Sequence, residues 1–236
     1  MDELEHHKMY LIGKYKESDR MSDLICENYS MLLVMSRFGI SLGFGDETIG
    51  KVCANNNVDV ATFLAVVNLL ISDDNNESVN YADLSAQELM IYLRNSHSYY
   101  LDFRLPAIRT NLIAALDSTE KEMSLLIIRY FDEYVAEVRK HLAYEEDTVF
   151  PYVEALLGNN RPKNYSIDIF SRKHDNIESR LSELKNIIIK YYPVRSSNEL
   201  NSVLFDIFSC AKDLLSHNDV EDSLFVPLIR ELECKI

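Results

Sequence analysis

The chain is short of turn-formers, of basic charge and of long apolar runs. Its 236 residues include only 6 glycines and 5 prolines, far below the roughly 7% and 5% of an average protein. That scarcity excludes a many-stranded sandwich, barrel or propeller, and also a collagen-like or low-complexity chain. Lysine and arginine number 24 against 38 acidic residues, a formal net charge of −14. A charge of that sign argues against nucleic-acid backbones and anionic membrane surfaces as partners, and suits a protein that collects cations. No stretch approaches the roughly 18 consecutive apolar residues of a membrane span. The opening MDELEHHKMY has neither the basic nor the apolar region of a secretory signal. A cytoplasmic location is therefore expected. The cysteines Cys26, Cys53, Cys210 and Cys234 are far apart and form no CxxC pair, so they are expected to remain thiols. There is no glycine-rich phosphate loop, no GxSxG and no Cys–His nucleophile arrangement.

What is present is 47% apolar residues arranged for long helices. Residues 1–20 read as a polar arm. Residues 21–75 read as a small helical domain, with a helix from Ser22 or Asp23, both good N-caps, to Arg37. The segment GISLGFGDE carries three of the six glycines and makes a tight turn. Asp46 is expected to cap a short helix, and Asp59 to cap VATFLAVVNLLI, which is apolar on nearly all sides and should be buried. The Asn/Asp/Ser-rich stretch around 73–84 marks a linker. After it, residues 80–236 read as four long helices, near 85–117, 118–157, 166–192 and 197–234. Pro106, Pro151 and Pro227 are expected to kink or end helices locally, because proline cannot donate a backbone N–H.

Spacing supports a bundle. Phe170, His174, Ile177, Leu181, Leu184 and Ile188 recur at alternating steps of four and three. Leu200, Val203, Ile207, Cys210, Leu214, His217, Glu221, Leu224 and Leu228 do the same. This is the seam of an all-α, up-down four-helix bundle. A histidine and a glutamate within such a seam need an explanation. Four of the six histidines, His97, His141, His174 and His217, fall one on each long helix. His97 shares a line with Met90, Leu93 and Tyr100; His141 shares one with Phe131, Tyr134, Val138 and Glu145. His141 and His217 each have a glutamate four residues on, Glu145 and Glu221, and residues so spaced share a helix face. The segment HLAYEEDTVFP (141–151) repeats as HNDVEDSLFVP (217–227), and His97 and His174 are spaced almost identically. Two such helix pairs about a pseudo-twofold axis bring four imidazoles and two carboxylates together, the donor set of a dinuclear centre. Those donors suit iron, zinc or manganese rather than copper(I). Glu146, Asp222, Tyr99 and Tyr144 are candidates to accept the outer N–H of a metal-bound imidazole. A single histidine on an apolar face is ordinarily a packed core residue; it is the joint pattern that points to a metal.

These motifs resemble the hemerythrin-like di-iron proteins of the iron–sulfur-cluster repair family. The matching segments are NSHSYYLDFRLP, His141 and Glu145 with Phe150-Pro151, KHDNIE with His174, and His217 and Glu221 with Phe225 and Pro227. The small first domain also resembles that family's N-terminal domain, through Arg37-Phe38-Gly39-Ile40 and the turn after it. Where the family has Cys-Cys-Gly-Gly, this chain reads Leu42-Gly43-Phe44-Gly45, without a thiol. The resemblance implies two non-haem, carboxylate-bridged iron ions, with His97, His141, His174 and His217 as terminal ligands and Glu145 and Glu221 as bridges. It implies binding of O2 or NO, or supply of iron to damaged iron–sulfur proteins under nitrosative or oxidative stress, in a chain that could pair as a homodimer. A non-enzymatic O2, NO or iron sensor or store is the alternative. Counting back from Leu105-Pro106 sets the family's first ligand at Ser98; the apolar line of the helix selects His97.

Overall fold

A computed structural model of the chain describes residues 15–71, 80–116, 120–172, 177–193 and 197–235. The described residues are helical apart from turns and one isolated β-bridge between Arg20 and Thr48. The chain divides into two compact units, Met1–Tyr92 and Leu93–Ile236. The division falls inside a helix, whereas the expected boundary near 73–84 lies mostly outside the described residues.

The first unit holds α1 (Met21–Glu27), α2 (Met31–Arg37), α3 (Ile49–Asn55) and α4 (Val60–Ile71). The helix expected from Ser22 to Arg37 is two helices. The backbone leaves helical geometry at Asn28, and the Asn28 side-chain amide donates to the Tyr15 hydroxyl at 3.2 Å. The short helix after the glycine turn starts from Thr48 rather than Asp46: the Thr48 hydroxyl accepts from the Lys51 amide at 3.3 Å. Asp59 does cap α4, accepting from the Thr62 amide at 2.8 Å. No residue of α4 is exposed, and Thr62, Phe63, Val66 and Val67 are fully inside. Gly39 and Gly43 adopt φ of 73° and 99°, a region open to glycine and strained for other residues. Phe38 packs against Phe63 and Tyr92 at centroid distances of 5.4 and 5.1 Å, closing this small core.

The second unit begins within α5 (Ala86–Ser98) and continues through α6 (Leu105–Ala115), α7 (Lys121–Tyr144), α8 (Phe150–Leu157), α9 (Ile167–Ser171), α10 (Ile177–Tyr191), α11 (Asn198–Val220) and α12 (Val226–Lys235). Helices α6, α7, α10 and α11 each pack on the next, and α11 closes the ring on α6. The result is a four-helix bundle with a continuous apolar core that runs from Tyr100 and Leu105 to Ala211 and Leu214. The seam on α11 is buried at every expected position from Leu200 to Leu228. Ser197 caps α11 by accepting from the Leu200 amide at 3.0 Å.

The prolines act differently from the expectation. Pro106, Pro151 and Pro227 neither end their helices nor stand at a simple kink. Each is the second residue of a resumed α-helix, directly after a π-helical segment: π1 (Tyr99–Arg104), π2 (Glu145–Val149) and π3 (Glu221–Phe225). A proline deprives the carbonyl four residues earlier of its donor. Those carbonyls belong to Asp102, Asp147 and Ser223, all inside the π segments, where bonds run from i to i+5 instead. The helix is widened and carries on.

Candidate metal centre

The widened turns lie where the unusual polar residues are. His97 lies in the last turn of α5 before π1, His141 in the last turn of α7 before π2, and His217 in the last turn of α11 before π3. Glu145 and Glu221 are the first residues of π2 and π3. One ligand atom each from His97, Glu145, His217 and Glu221 fall within 4.8 Å of one another. All four side chains are buried, with relative exposures of 4% for His97, 1% for His217 and 0% for both glutamates.

Glu145 is the hub. Its Oε2 lies 3.0 Å from His97 Nε2 and its Oε1 lies 2.9 Å from His141 Nε2. One carboxylate therefore faces a different imidazole with each oxygen. Glu221 Oε1 lies 3.4 Å from His217 Nε2, and the His97 and His217 rings stand 5.4 Å apart. His141 is less enclosed and stacks on Phe170 at 6.4 Å. The remaining expected ligand, His174, lies outside the described residues. Of the two adjacent candidates on the first helix, His97 belongs to this cluster and Ser98 is exposed.

Burying carboxylates costs several kcal/mol per charge unless cations or donors compensate. The close approaches here do not have hydrogen-bond alignment: His97 Nε2, both oxygens of Glu145 and both ring nitrogens of His217 are buried without an aligned partner. Polar atoms that are buried and close together yet not hydrogen-bonded to one another are what a cation placed among them would satisfy. The donors are imidazole nitrogen and carboxylate oxygen, which bind a first-row divalent ion at about 2.0–2.2 Å. Opposite ligands of one ion therefore stand about 4.2 Å apart, close to the spread seen. The residues present fit a metal.

The outer surroundings are asymmetric. His97 Nδ1 lies 2.8 Å from Glu146 Oε1, and Glu146 Oε2 lies 3.2 Å from Arg94 Nε. Burial pushes the His97 imidazole down, but contact with Glu145 and Glu146 more than reverses this and holds its pKa up at about 9. The hydrogen bond from His97 holds the Glu146 carboxyl below its ordinary value against the opposing effect of burial, with Arg94 adding to the lowering. Phe150 stacks on His97 at 5.6 Å with planes 14° apart, and Tyr100 meets His217 edge-on at 5.8 Å. Of the other expected N–H acceptors, Tyr144 shares a hydrogen bond with Tyr165 at 3.1 Å, Tyr99 packs on Tyr100 and Phe103, and Asp222 is exposed. Arg94 and Tyr100 were not singled out as site residues from sequence. Their signal was weak but present: each is three residues from His97, hence on its side of the helix.

Residues 105–229, just over half of the chain, match the model of the hemerythrin HHE cation-binding domain. The chain belongs to the hemerythrin HHE family. No curated protein and no solved structure matches it. The matched stretch contains the two HxxxE repeats of this hemerythrin domain and begins after His97, which the apolar line of its helix and the geometry of the cluster bring into the site. No described helix of this hemerythrin-family chain is long and apolar enough to cross a membrane.

Proposed function

We propose that this chain is a dinuclear, non-haem iron protein that binds O2 or NO, or delivers iron to damaged iron–sulfur proteins, during nitrosative or oxidative stress. The observation that carries the dinuclear reading is Glu145, whose two oxygens each stand beside a different imidazole, as a bridging carboxylate requires. His97, His217 and Glu221 would complete the surroundings of one ion. His141 would serve the other, together with His174. Six protein ligands leave open positions on two ions, where a diatomic molecule could enter. When bound, the metal pair supplies reversible one-electron chemistry and Lewis acidity. The chain itself supplies burial, orientation through Glu146 and Phe150, and exclusion of bulk water around fully buried carboxylates. Cluster repair rests on the resemblance of the histidine motifs and the small first domain to that family.

Anaerobic reconstitution with ferrous iron, followed by metal analysis, tests the reading. Two ions per chain are expected, with NO altering the absorption spectrum of the reduced protein. Uptake of one ion or none refutes the dinuclear centre. NO that is bound but not turned over favours the sensing or storage role.

A further inference from the structure

Each ring nitrogen of His97 has a carboxylate close by, from consecutive residues of one widened turn, hydrogen-bonded at Nδ1 and close but unaligned at Nε2. Glu145 Oε2 stands 3.0 Å from Nε2, and Glu146 Oε1 stands 2.8 Å from Nδ1. Successive residues of a regular α-helix diverge by about 100°, and π2 starts where the two must both face the same imidazole. Glu146 is in turn fixed by Arg94, whose Nε lies 3.2 Å from Oε2 and whose Nη2 lies 2.9 Å from Glu154 Oε1. The Arg94 guanidinium also stands 5.1 Å from the centroid of Phe150, the ring that stacks on His97. Arg94 thus supports His97 by two routes, through a carboxylate and through an aromatic ring. The pair is half-exposed, with side-chain exposures of 39% for Arg94 and 37% for Glu146. Its contribution to packing is correspondingly small, so orientation of His97 is the better account of the contacts.

We propose that Arg94 and Glu146 form a clamp that positions His97 for metal binding: Glu146 fixes Nδ1 as the nitrogen that carries hydrogen, which leaves the lone pair of Nε2 for the ion, and Arg94 fixes Glu146. This rests on the metal reading above. A metal ligand must present an unprotonated nitrogen, and a carboxylate at the other nitrogen selects that tautomer and raises its basicity. The clamp serves the ion on the His97 side, since Glu146 reaches the site through His97 Nδ1 and Arg94 through Glu146 and the Phe150 ring stacked on His97.

Cobalt(II) is a suitable probe because its visible bands report coordination and its paramagnetism shifts ligand N–H resonances away from the rest. Titration of the full chain against a competing chelator should show Glu146→Ala weakening one of two ions by about 10–100-fold and leaving the other unchanged. Arg94→Ala should weaken the same ion by less. Glu146→Gln, which keeps an oxygen acceptor for Nδ1–H, should recover much of the loss. The cobalt-loaded wild type should show a shifted, slowly exchanging imidazole N–H that Glu146→Ala loses and Glu146→Gln retains. Unchanged cobalt affinity and an intact resonance in Glu146→Ala overturn the clamp. So does equal weakening of both ions accompanied by a lower melting temperature of the metal-free chain, which marks a purely structural role. A wild-type chain that takes up no cobalt refutes the metal reading, and the clamp falls with it.

Discussion

Replacing Glu145 with glutamine separates a metal-bridging residue from a packing residue. The side chain is fully buried, with its oxygens 3.0 Å from His97 Nε2 and 2.9 Å from His141 Nε2. Glutamine keeps the shape and volume but exchanges one oxygen for an N–H2 donor and removes the charge, so an ion that would use that oxygen loses a ligand. In the metal-free protein two effects oppose each other. Removing a buried charge relieves several kcal/mol of desolvation, while the His97 and His141 imidazoles each lose a neighbouring carboxylate charge. His97 retains Glu146 at 2.8 Å, so its ionised form is not left alone. The metal-free variant should therefore melt within about 2–4 °C of metal-free wild type, a net change near 1 kcal/mol at this chain length. Metal changes the comparison. A ligand that binds only the folded state stabilises it by about 2.7 kcal/mol at a free concentration one hundred times its Kd. That corresponds to a rise of roughly 5–11 °C in wild type. Glu145→Gln should lose most of this rise. Calorimetric or circular-dichroism melts of both proteins, with and without the ion, supply the four temperatures needed. An undiminished metal-induced rise in the variant would refute Glu145 as a ligand. A collapse of the metal-free variant would show instead that the carboxylate is needed to hold the histidines together.

Two further substitutions probe the same region. His97→Ala should lower occupancy of one of two ions in metal analysis, whereas Ser98→Ala, at an exposed position, should leave both; the reverse result would place the first helix one residue out of register. Phe150→Ala removes a buried ring that stacks on His97 and meets Phe225 edge-on at 6.0 Å, and should cost about 3–5 kcal/mol in urea unfolding of the metal-free chain. A cost under about 1 kcal/mol would mean that the ring is not part of a packed wall.

The bundle was legible because its helices are amphipathic over many turns. Every seam position from Leu200 to Leu228 is buried, and the polar residues in that seam, His217 and Glu221, are in the metal-type cluster. A periodic pattern over some thirty residues leaves little room for another phase. The small first unit was less legible for a physical reason. Nothing between Met21 and Arg37 is a proline or a glycine, so local rules give one helix. The break at Asn28 is accompanied by a contact with Tyr15 that no local pattern reveals. The cap at Thr48 was missed in a similar way. Asp46 and Thr48 are both acceptable caps, and Thr48 also forms the bridge with Arg20, which favours extended backbone there.

The prolines show a deeper limit of sequence reading. A proline inside a helical pattern is ordinarily a stop or a kink, and on that rule the motif HxxxE followed by Pro151 or Pro227 marks two ligands and then an ending. Proline's missing donor has another remedy, in which the preceding turn widens to i→i+5 bonding and the helix resumes with proline at its second residue. The consequence for the site is direct. Glu145 and Glu146, neighbours that would diverge on an ordinary helix, both face His97 at the start of π2. The same device recurs at π3, where Glu221 opens the wide turn four residues after His217. The repeat read from sequence as histidine, glutamate, proline is therefore one structural unit: the histidine closes an α-helix, the glutamate opens a wide turn, and the proline restores the helix beyond it. Wide turns of this kind are often found at functional sites. Here the widening has a specific use, because it brings an inner carboxylate and an outer carboxylate to opposite nitrogens of one imidazole.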